Sequence, residues 1–157
     1  MKTKYSVILP CLNEFGNLKL LLPQLLKIFK NEDFEFIIVD DNSNDKTSLR
    51  LKKIFKNKKK IKYILRKKNR SLGLSIKDGI LFSNGDILIV MDTDFNHRPL
   101  DLKKMFIAFK KKKYDMICGS RFLKGGGSTS LFRYICSFLF NIFINLITKG
   151  KISDNLS

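Results

Sequence analysis

Along the 157-residue chain, short apolar runs alternate with stretches in which apolar positions recur every three or four residues. The first pattern reads as strands buried in a sheet, the second as amphipathic helices. Tyr5–Leu9 predicts a strand stopped by Pro10, which has no N–H to give a central ladder. Leu18, Leu21, Leu22, Leu25 and Leu26 predict a helix from Asn17 to about Lys30. Phe36–Val39 is a second strand and Ile61–Leu65 a third; between them Leu49, Leu51, Ile54 and Phe55 mark the buried side of a helix that Asp45 or Thr47 can cap. Gly73 interrupts the pattern, which resumes as a helix over Ser75–Phe82. Asn84-Gly85 turns the chain into Ile87–Met91, an unbroken apolar run that predicts a strand buried on both faces. A helix over Leu102–Phe109 and a strand over Met116–Cys118 follow. Strands alternating with helices predict βαβ units, hence an α/β fold with a mainly parallel sheet flanked by helices.

Leu131–Thr148 departs from this alternation. It is apolar at most positions, while Arg133, Ser137, Asn141 and Asn145 recur every four residues as a narrow polar stripe. Its length is near the minimum for crossing a bilayer, but the stripe favours an amphipathic helix lying in the membrane interface. A buried core helix is the next reading and a true span the third. The expected organisation is a catalytic domain over residues 1–130 and an apolar, interfacial segment over residues 131–157.

The polar positions carry the chemistry. Glu14, Asp40, Asp41, Asp92 and Asp94 fall just beyond three predicted strands. In a parallel sheet those ends share one edge, the edge where open α/β sheets bind ligands. Carboxylates brought together there repel one another unless a cation or hydrogen-bond donors intervene. Asp92 and Asp94, two residues apart with no thiolate and only His97 nearby, suit a hard cation such as Mg²⁺ or Mn²⁺ whose coordination includes substrate phosphate. The plainer alternative is that the two acids cap the following helix. Asp40 and Asp41 can accept hydrogen bonds from ribose hydroxyls or a base edge. No G-x-x-x-x-G-K-[ST] occurs and no G-x-G-x-x-G follows the first strand, so a P-loop NTPase and a dinucleotide fold are both unsupported. A nucleoside-diphosphate sugar fits this division of labour.

Charge changes the picture in one respect. The chain carries 31 basic and 14 acidic residues, a net charge of +17, and only six of the basic residues are arginine. A lysine-rich background would produce this by itself; the functional alternative is attraction to a polyanion. Nucleic acid is disfavoured, because convergent carboxylates would repel its phosphates, and an anionic membrane surface is preferred. Three widely spaced cysteines without a C-x-x-C argue against a disulfide framework or zinc site and fit a reducing compartment. The apolar run at the N-terminus is too short for a signal peptide.

Five collinear segments, SVILPCLNE (Ser6–Glu14), IIVDDNSNDKT (Ile37–Thr47), LGLSIKDGI (Leu72–Ile80), MDTDFNHRP (Met91–Pro99) and GSRF (Gly119–Phe122), resemble glycosyltransferase family 2. Within it they are most similar to the polyprenyl-phosphate (dolichyl-phosphate) mannose synthases. The resemblance implies a GT-A, Rossmann-like fold and inverting transfer of mannose from GDP-mannose to a polyprenyl phosphate, by a peripheral enzyme on the cytoplasmic face of a membrane. By position, Pro10, Asn13, Glu14, Asp40 and Asp41 match the nucleotide-binding blocks. Asp92, Asp94 and Asn96 match the site for Mg²⁺ or Mn²⁺, and Arg121 and Arg133 match basic residues that hold the acceptor phosphate. Asp94, Arg121 and Arg133 are thus the expected catalytic groups. Two departures stand out. A block that usually reads G-L-G is Gly73-Leu74-Ser75 here, and the S-G-F-R-type continuation would fall beyond Ser157, as in a truncated chain or fragment. Rival readings are a glucosyltransferase or other family 2 enzyme, a basic nucleic-acid-binding domain, and an inactive fragment that still binds donor.

Overall fold

The structure is a computed structural model and describes residues 3–111, 114–120 and 131–148. In order, the elements are β1 (Tyr5–Cys11), α1 (Phe15–Ile28), β2 (Phe34–Asp40), α2 (Thr47–Ile54), β3 (Ile61–Leu65), α3 (Leu72–Phe82), β4 (Ile87–Val90), α4 (Pro99–Lys111) and α5 (Leu131–Thr148). The strands form one sheet in the order β3-β2-β1-β4, and every pairing is parallel. The expected α/β architecture is therefore present. The chain divides into two compact units, Met1–Lys104 and Met105–Ser157.

In the first unit, β1 and β2 are buried along their whole length. Leu18, Leu21, Leu22 and Leu25 of α1 are buried at the predicted helical spacing, each worth about 1.5–3 kcal/mol of apolar burial. Phe34 stacks on Tyr5 and Phe29 with ring centroids 4.8 and 4.3 Å apart. Helix α3 lies close on the sheet through Gly79, where a Cβ would stand 2.5 Å from Ile8 Cγ2 and 3.1 Å from Val39 Cγ2. No larger residue fits there without displacing the core.

Four local readings are corrected. Pro10 does not end β1; the strand runs on to Cys11, with Pro10 opposite Val39. The Ile8 carbonyl bonds Met91 on the β4 side and the Cys11 carbonyl bonds Asp41 on the β2 side. By alternation Pro10 faces β4, whose pairing ends at Ile8–Val90, so its missing N–H is not needed. Gly73 does not interrupt α3, which begins at Leu72 with the Ser71 hydroxyl accepting from the Leu74 N–H. Strand β4 is not buried on both faces; it lies at the sheet edge, with Leu88 and Val90 42% and 46% exposed. Met116–Cys118 forms no strand, and a three-residue apolar run has nothing to hold it extended without a paired neighbour.

At the opposite edge from the strand ends discussed below, Glu35 on β2 gathers four donors. Its Oε1 accepts from Ser6 Oγ (2.6 Å) and the Asn84 N–H (2.7 Å), and its Oε2 faces Lys62 Nζ at 2.7 Å and Lys4 Nζ at 3.6 Å. Burial alone would push this carboxyl up. The bonds from Lys62, Ser6 and Asn84 outweigh it and bring the pKa from 4.5 down to about 2. Since the folded value is depressed, the stabilisation is complete above about pH 4.5 and is lost as pH falls toward about 2. Urea unfolding of Glu35→Gln should therefore show a deficit of about 1–3 kcal/mol at neutral pH that closes on acidification. A deficit independent of pH would show that the charge of Glu35 contributes nothing.

Candidate functional site

The site lies at the carboxyl edge of the sheet, where four loops leave β1, β2, β3 and β4. The β1–α1 loop is clasped to the β2–α2 loop. Asn13 adopts a left-handed backbone conformation (φ 61°), which asparagine tolerates better than most residues. Its Oδ1 accepts from the Asn44 N–H (2.8 Å) and the Asp45 N–H (3.3 Å), and its own N–H donates to Ser43 Oγ (2.9 Å). The Phe15 N–H returns a bond to Asp45 Oδ2 at 3.3 Å. Glu14 starts α1, its carbonyl accepting from Leu18 and its Oε2 from Asn17 Nδ2 at 2.7 Å. Asp45 accepts from both the N–H and the hydroxyl of Thr47, but the cap position of α2 is Lys46, left-handed at φ 58° and without a side-chain cap bond, so neither Asp45 nor Thr47 is the N-cap expected here.

Asp40 and Asp41 end β2 in different ways. Asp40 is only 1% exposed. Its Oδ1 accepts from the Ser43 N–H (2.8 Å) and its Oδ2 from the N–H and hydroxyl of Ser48 (2.9 and 2.5 Å). Burial would raise its pKa, but these donors outweigh that and hold it below the usual carboxylate range. Asp40 thus braces its own loop. Asp41 accepts from Arg66 Nη1 (2.5 Å) and from the Ser71 N–H (2.7 Å). It also borders a cavity of about 310 Å³, together with Pro10, Cys11, Leu12, Arg70 and Leu72. The Cys11 thiol is pushed far up by burial and by the surrounding Asp40, Glu14, Asp45 and Asp41 carboxylates. It stays protonated and is no nucleophile.

Asp92 and Asp94 lie beyond β4, and both are exposed. The Met91 N–H still bonds the Ile8 carbonyl (3.1 Å), so Asp92 leaves the sheet immediately beside the end of β1. The Asp92 N–H donates to His97 Nδ1 (3.1 Å), a bond that closes the turn and leaves the lone histidine a structural hydrogen-bonder. Asp94 Oδ1 accepts from the Asn96 N–H (3.0 Å) and Oδ2 from Asn96 Nδ2 (2.5 Å), with Phe95 left-handed at φ 64°. The side-chain hydrogen bonds of Asp94 and Asn96 stay within this turn, and among the described residues the Asp92 carboxylate has only His97 Nδ1 near it, at 3.8 Å. Among the described residues no group of three or more His, Cys, Asp or Glu is assembled for a metal. Two exposed carboxylates and a neighbouring amide are hard donors that leave most of a cation's coordination open for ligand oxygens.

The five acids are therefore brought to one edge but not into one cluster. β2 and β4 flank β1, so their ends stand two strand widths, about 10 Å, apart. The pairs divide into a braced half (Asp40, Asp41) and an exposed half (Asp92, Asp94). Arg121 lies outside the described residues, and Arg133 sits on α5 with its side chain outside them. Sequence reasoning missed Ser43, Ser48, Arg66, Ser71 and Asp78. One signal was available for Arg66: an arginine at a strand end inside a lysine-rich stretch, where only a planar fork can bridge two acids.

In the second unit, helix α5 has the boundaries expected for it. Its less exposed positions are Tyr134, Ser137, Asn141, Ile144 and Asn145, whereas Phe132, Leu139, Phe143, Leu146 and Ile147 are exposed. Ser137, Asn141 and Asn145 of the polar stripe are thus among the sheltered positions, and the exposed ones are apolar. No helix among the described residues is long and apolar enough to cross a membrane.

Comparison with known proteins follows the same lines. The chain is 34% identical over 123 residues to the dolichol-phosphate mannosyltransferase of Pyrococcus furiosus, covering 78% of this chain and 34% of that protein. It is 30% identical over 154 residues to the undecaprenyl-phosphate 4-deoxy-4-formamido-L-arabinose transferase of Photorhabdus laumondii, covering 96% of this chain and 46% of that one. The chain thus spans about a third to a half of the length of these relatives. Among solved structures, glucosyl-3-phosphoglycerate synthase from Mycobacterium tuberculosis, with Mn²⁺, UDP and phosphoglyceric acid, superposes with a TM-score of 0.70 at 20% identity. That match covers 99% of this chain and 54% of the other, and shows that the fold is shared. Residues 6–156 match Glycosyl transferase family 2, and the chain belongs to that family.

Proposed function

We propose that this chain supplies the donor-binding half of an inverting glycosyltransferase that moves mannose from GDP-mannose to a polyprenyl phosphate at the cytoplasmic face of a membrane. The observation that carries the reading is the pairing of a cavity walled by Asp41 with two exposed carboxylates one strand beyond β1. The cavity has apolar walls in Leu12 and Leu72 and a fixed acceptor in Asp41, which suits the nucleoside. Pro10, Asn13, Glu14 and Asp40 shape that half through the backbone, the clasp and the braced loop.

Asp92, Asp94 and Asn96 would hold Mg²⁺ or Mn²⁺, which supplies charge neutralisation to the departing diphosphate. An acceptor phosphate monoester carries about −1.5 to −2 charge at neutral pH, so it needs no strong base. What it needs is grip, and Arg121 and Arg133 are assigned that role as bidentate donors. In-line attack then inverts the anomeric carbon. The exposed apolar positions of α5 and the net charge of +17 support attachment to an anionic membrane surface, where an acceptor with a hydrocarbon tail resides.

Choice of donor separates this reading from a second one, in which another sugar is carried to the same kind of lipid; the named sugar of the Photorhabdus relative favours keeping it. The deciding measurement is transfer of radiolabelled sugar to polyprenyl phosphate from GDP-mannose and, in parallel, UDP-glucose. Transfer from GDP-mannose that disappears on chelation and returns with Mn²⁺ is expected. Transfer from UDP-glucose alone would establish the second reading, and no transfer from either would overturn the assignment of GDP-mannose as donor.

A further inference from the structure

We infer that Arg66 is a positioning residue for the nucleoside half of the site, an inference that rests on reading the cavity beside Asp41 as the nucleoside pocket. Arg66 follows β3 directly, and its N–H bonds the Asp40 carbonyl at 2.9 Å, so its backbone is an extension of the β2–β3 ladder. The side chain is 8% exposed and reaches three separate parts of the site. Nη1 donates to Asp41 Oδ1 (2.5 Å) and lies 3.2 Å from Ser75 Oγ; Nη2 donates to the Asn69 carbonyl (3.2 Å); Nε donates to Asp78 Oδ2 on α3 (2.7 Å). One buried fork thus ties the end of β2, the turn before α3, and α3 itself.

The turn it holds is not a relaxed one. Asn69 is left-handed at φ 54°, and the carbonyl that Arg66 holds is its own. The next residue, Arg70, reaches back across the cavity rim to the Asn42 carbonyl at 2.7 Å. Ser71, next again, gives its N–H to the second oxygen of Asp41. With one lone pair of each oxygen taken, Asp41 is fixed in rotation. A lysine at 66 could neutralise one carboxylate but could not bridge both and hold the turn.

Arg66 makes no bond to the Asp92–Arg98 turn, whose own bonds are local. Its influence should therefore reach the nucleoside and not the diphosphate. That distinguishes a positioning role from a general contribution to the fold, which would move both or neither.

The test uses the full chain with Mn²⁺ and three probes, GDP, UDP and inorganic pyrophosphate, measured by calorimetric titration of the unsubstituted protein, Arg66→Lys and Asp78→Asn. Far-ultraviolet circular dichroism and a thermal melt establish that each variant is folded. For whichever nucleotide binds more tightly, Arg66→Lys is expected to weaken affinity about tenfold and Asp78→Asn about threefold, with pyrophosphate affinity held within about twofold. Equal losses for nucleotide and pyrophosphate, or no loss for either, would overturn the assignment. If Arg66→Lys does not fold, Asp78→Asn, on a carboxylate that is 41% exposed, decides by the same comparison. Failure of the unsubstituted protein to bind either nucleotide would instead overturn the donor-site reading, and this inference with it.

Discussion

Asp94→Asn is expected to lower the metal-dependent transfer rate by about a hundredfold to a thousandfold while leaving the thermal midpoint unchanged. The reasoning is electrostatic. Asp94 is exposed, and its own bonds go only to Asn96, two residues away. Removing its charge therefore disturbs no packing, and the exposed turn can keep its geometry if the Asn96 amide turns over to accept from the new NH₂. What would be lost is one of the two carboxylates proposed to hold the metal, where no third His, Cys, Asp or Glu joins them among the described residues. A divalent ion held by so few protein charges could not spare one. Steady-state assays over a range of Mn²⁺ concentrations would check this, with the deficit reduced as metal is raised. Unchanged turnover at low metal would remove Asp94 from the site.

Asp40→Asn should have the second largest effect, and of a different kind. The carboxylate is surrounded by donors only: the Ser43 N–H on one oxygen, the Ser48 N–H and hydroxyl on the other. An asparagine must turn its NH₂ toward one of those N–H groups, whichever way the amide is set. One buried donor then faces another, and a loss of about 2–4 kcal/mol follows. The 42–48 loop that Asp40 braces is also the partner of the Asn13 clasp, so nucleotide affinity should fall by about tenfold or more with it. Urea denaturation and nucleotide titration on the same preparation measure the two together. Full stability with full affinity would show that the buried charge is not what organises the loop.

The alternation of apolar runs and helical spacings was enough to place nearly every element, and Ile61–Leu65 and Leu131–Thr148 keep their bounds. The misreadings arise where context overrides a local rule. Pro10 and Gly73 are both breakers by such a rule, but Gly73 falls in the first turn of a helix capped by Ser71, and whether the missing N–H of Pro10 matters depends on which neighbouring strand has already ended, a property of the sheet. The apolar run of β4 signals burial, yet Leu88 and Val90, which alternate onto one face, are exposed, and periodicity alone does not say which face is covered. At the site, the acids were legible because carboxylates just past apolar runs are conspicuous. Their donors were not, since Ser71 and Arg66 reach Asp41 from 30 and 25 positions away and nothing in the local pattern announces them.

The pairing of Cys11 with Asp40, and the bond from the Asp41 N–H to the Cys11 carbonyl, make the cavity beside Asp41 a property of a single alignment of β1 on β2. Slipping either strand by one residue would turn its side chains to the wrong faces and pull Asn13 away from Ser43. A nucleotide bound there would then favour one alignment over every near-miss, adding about 2.7 kcal/mol at a hundredfold excess over its dissociation constant. Substrate would thus act on this chain as a proofreader of strand registry as well as a reactant.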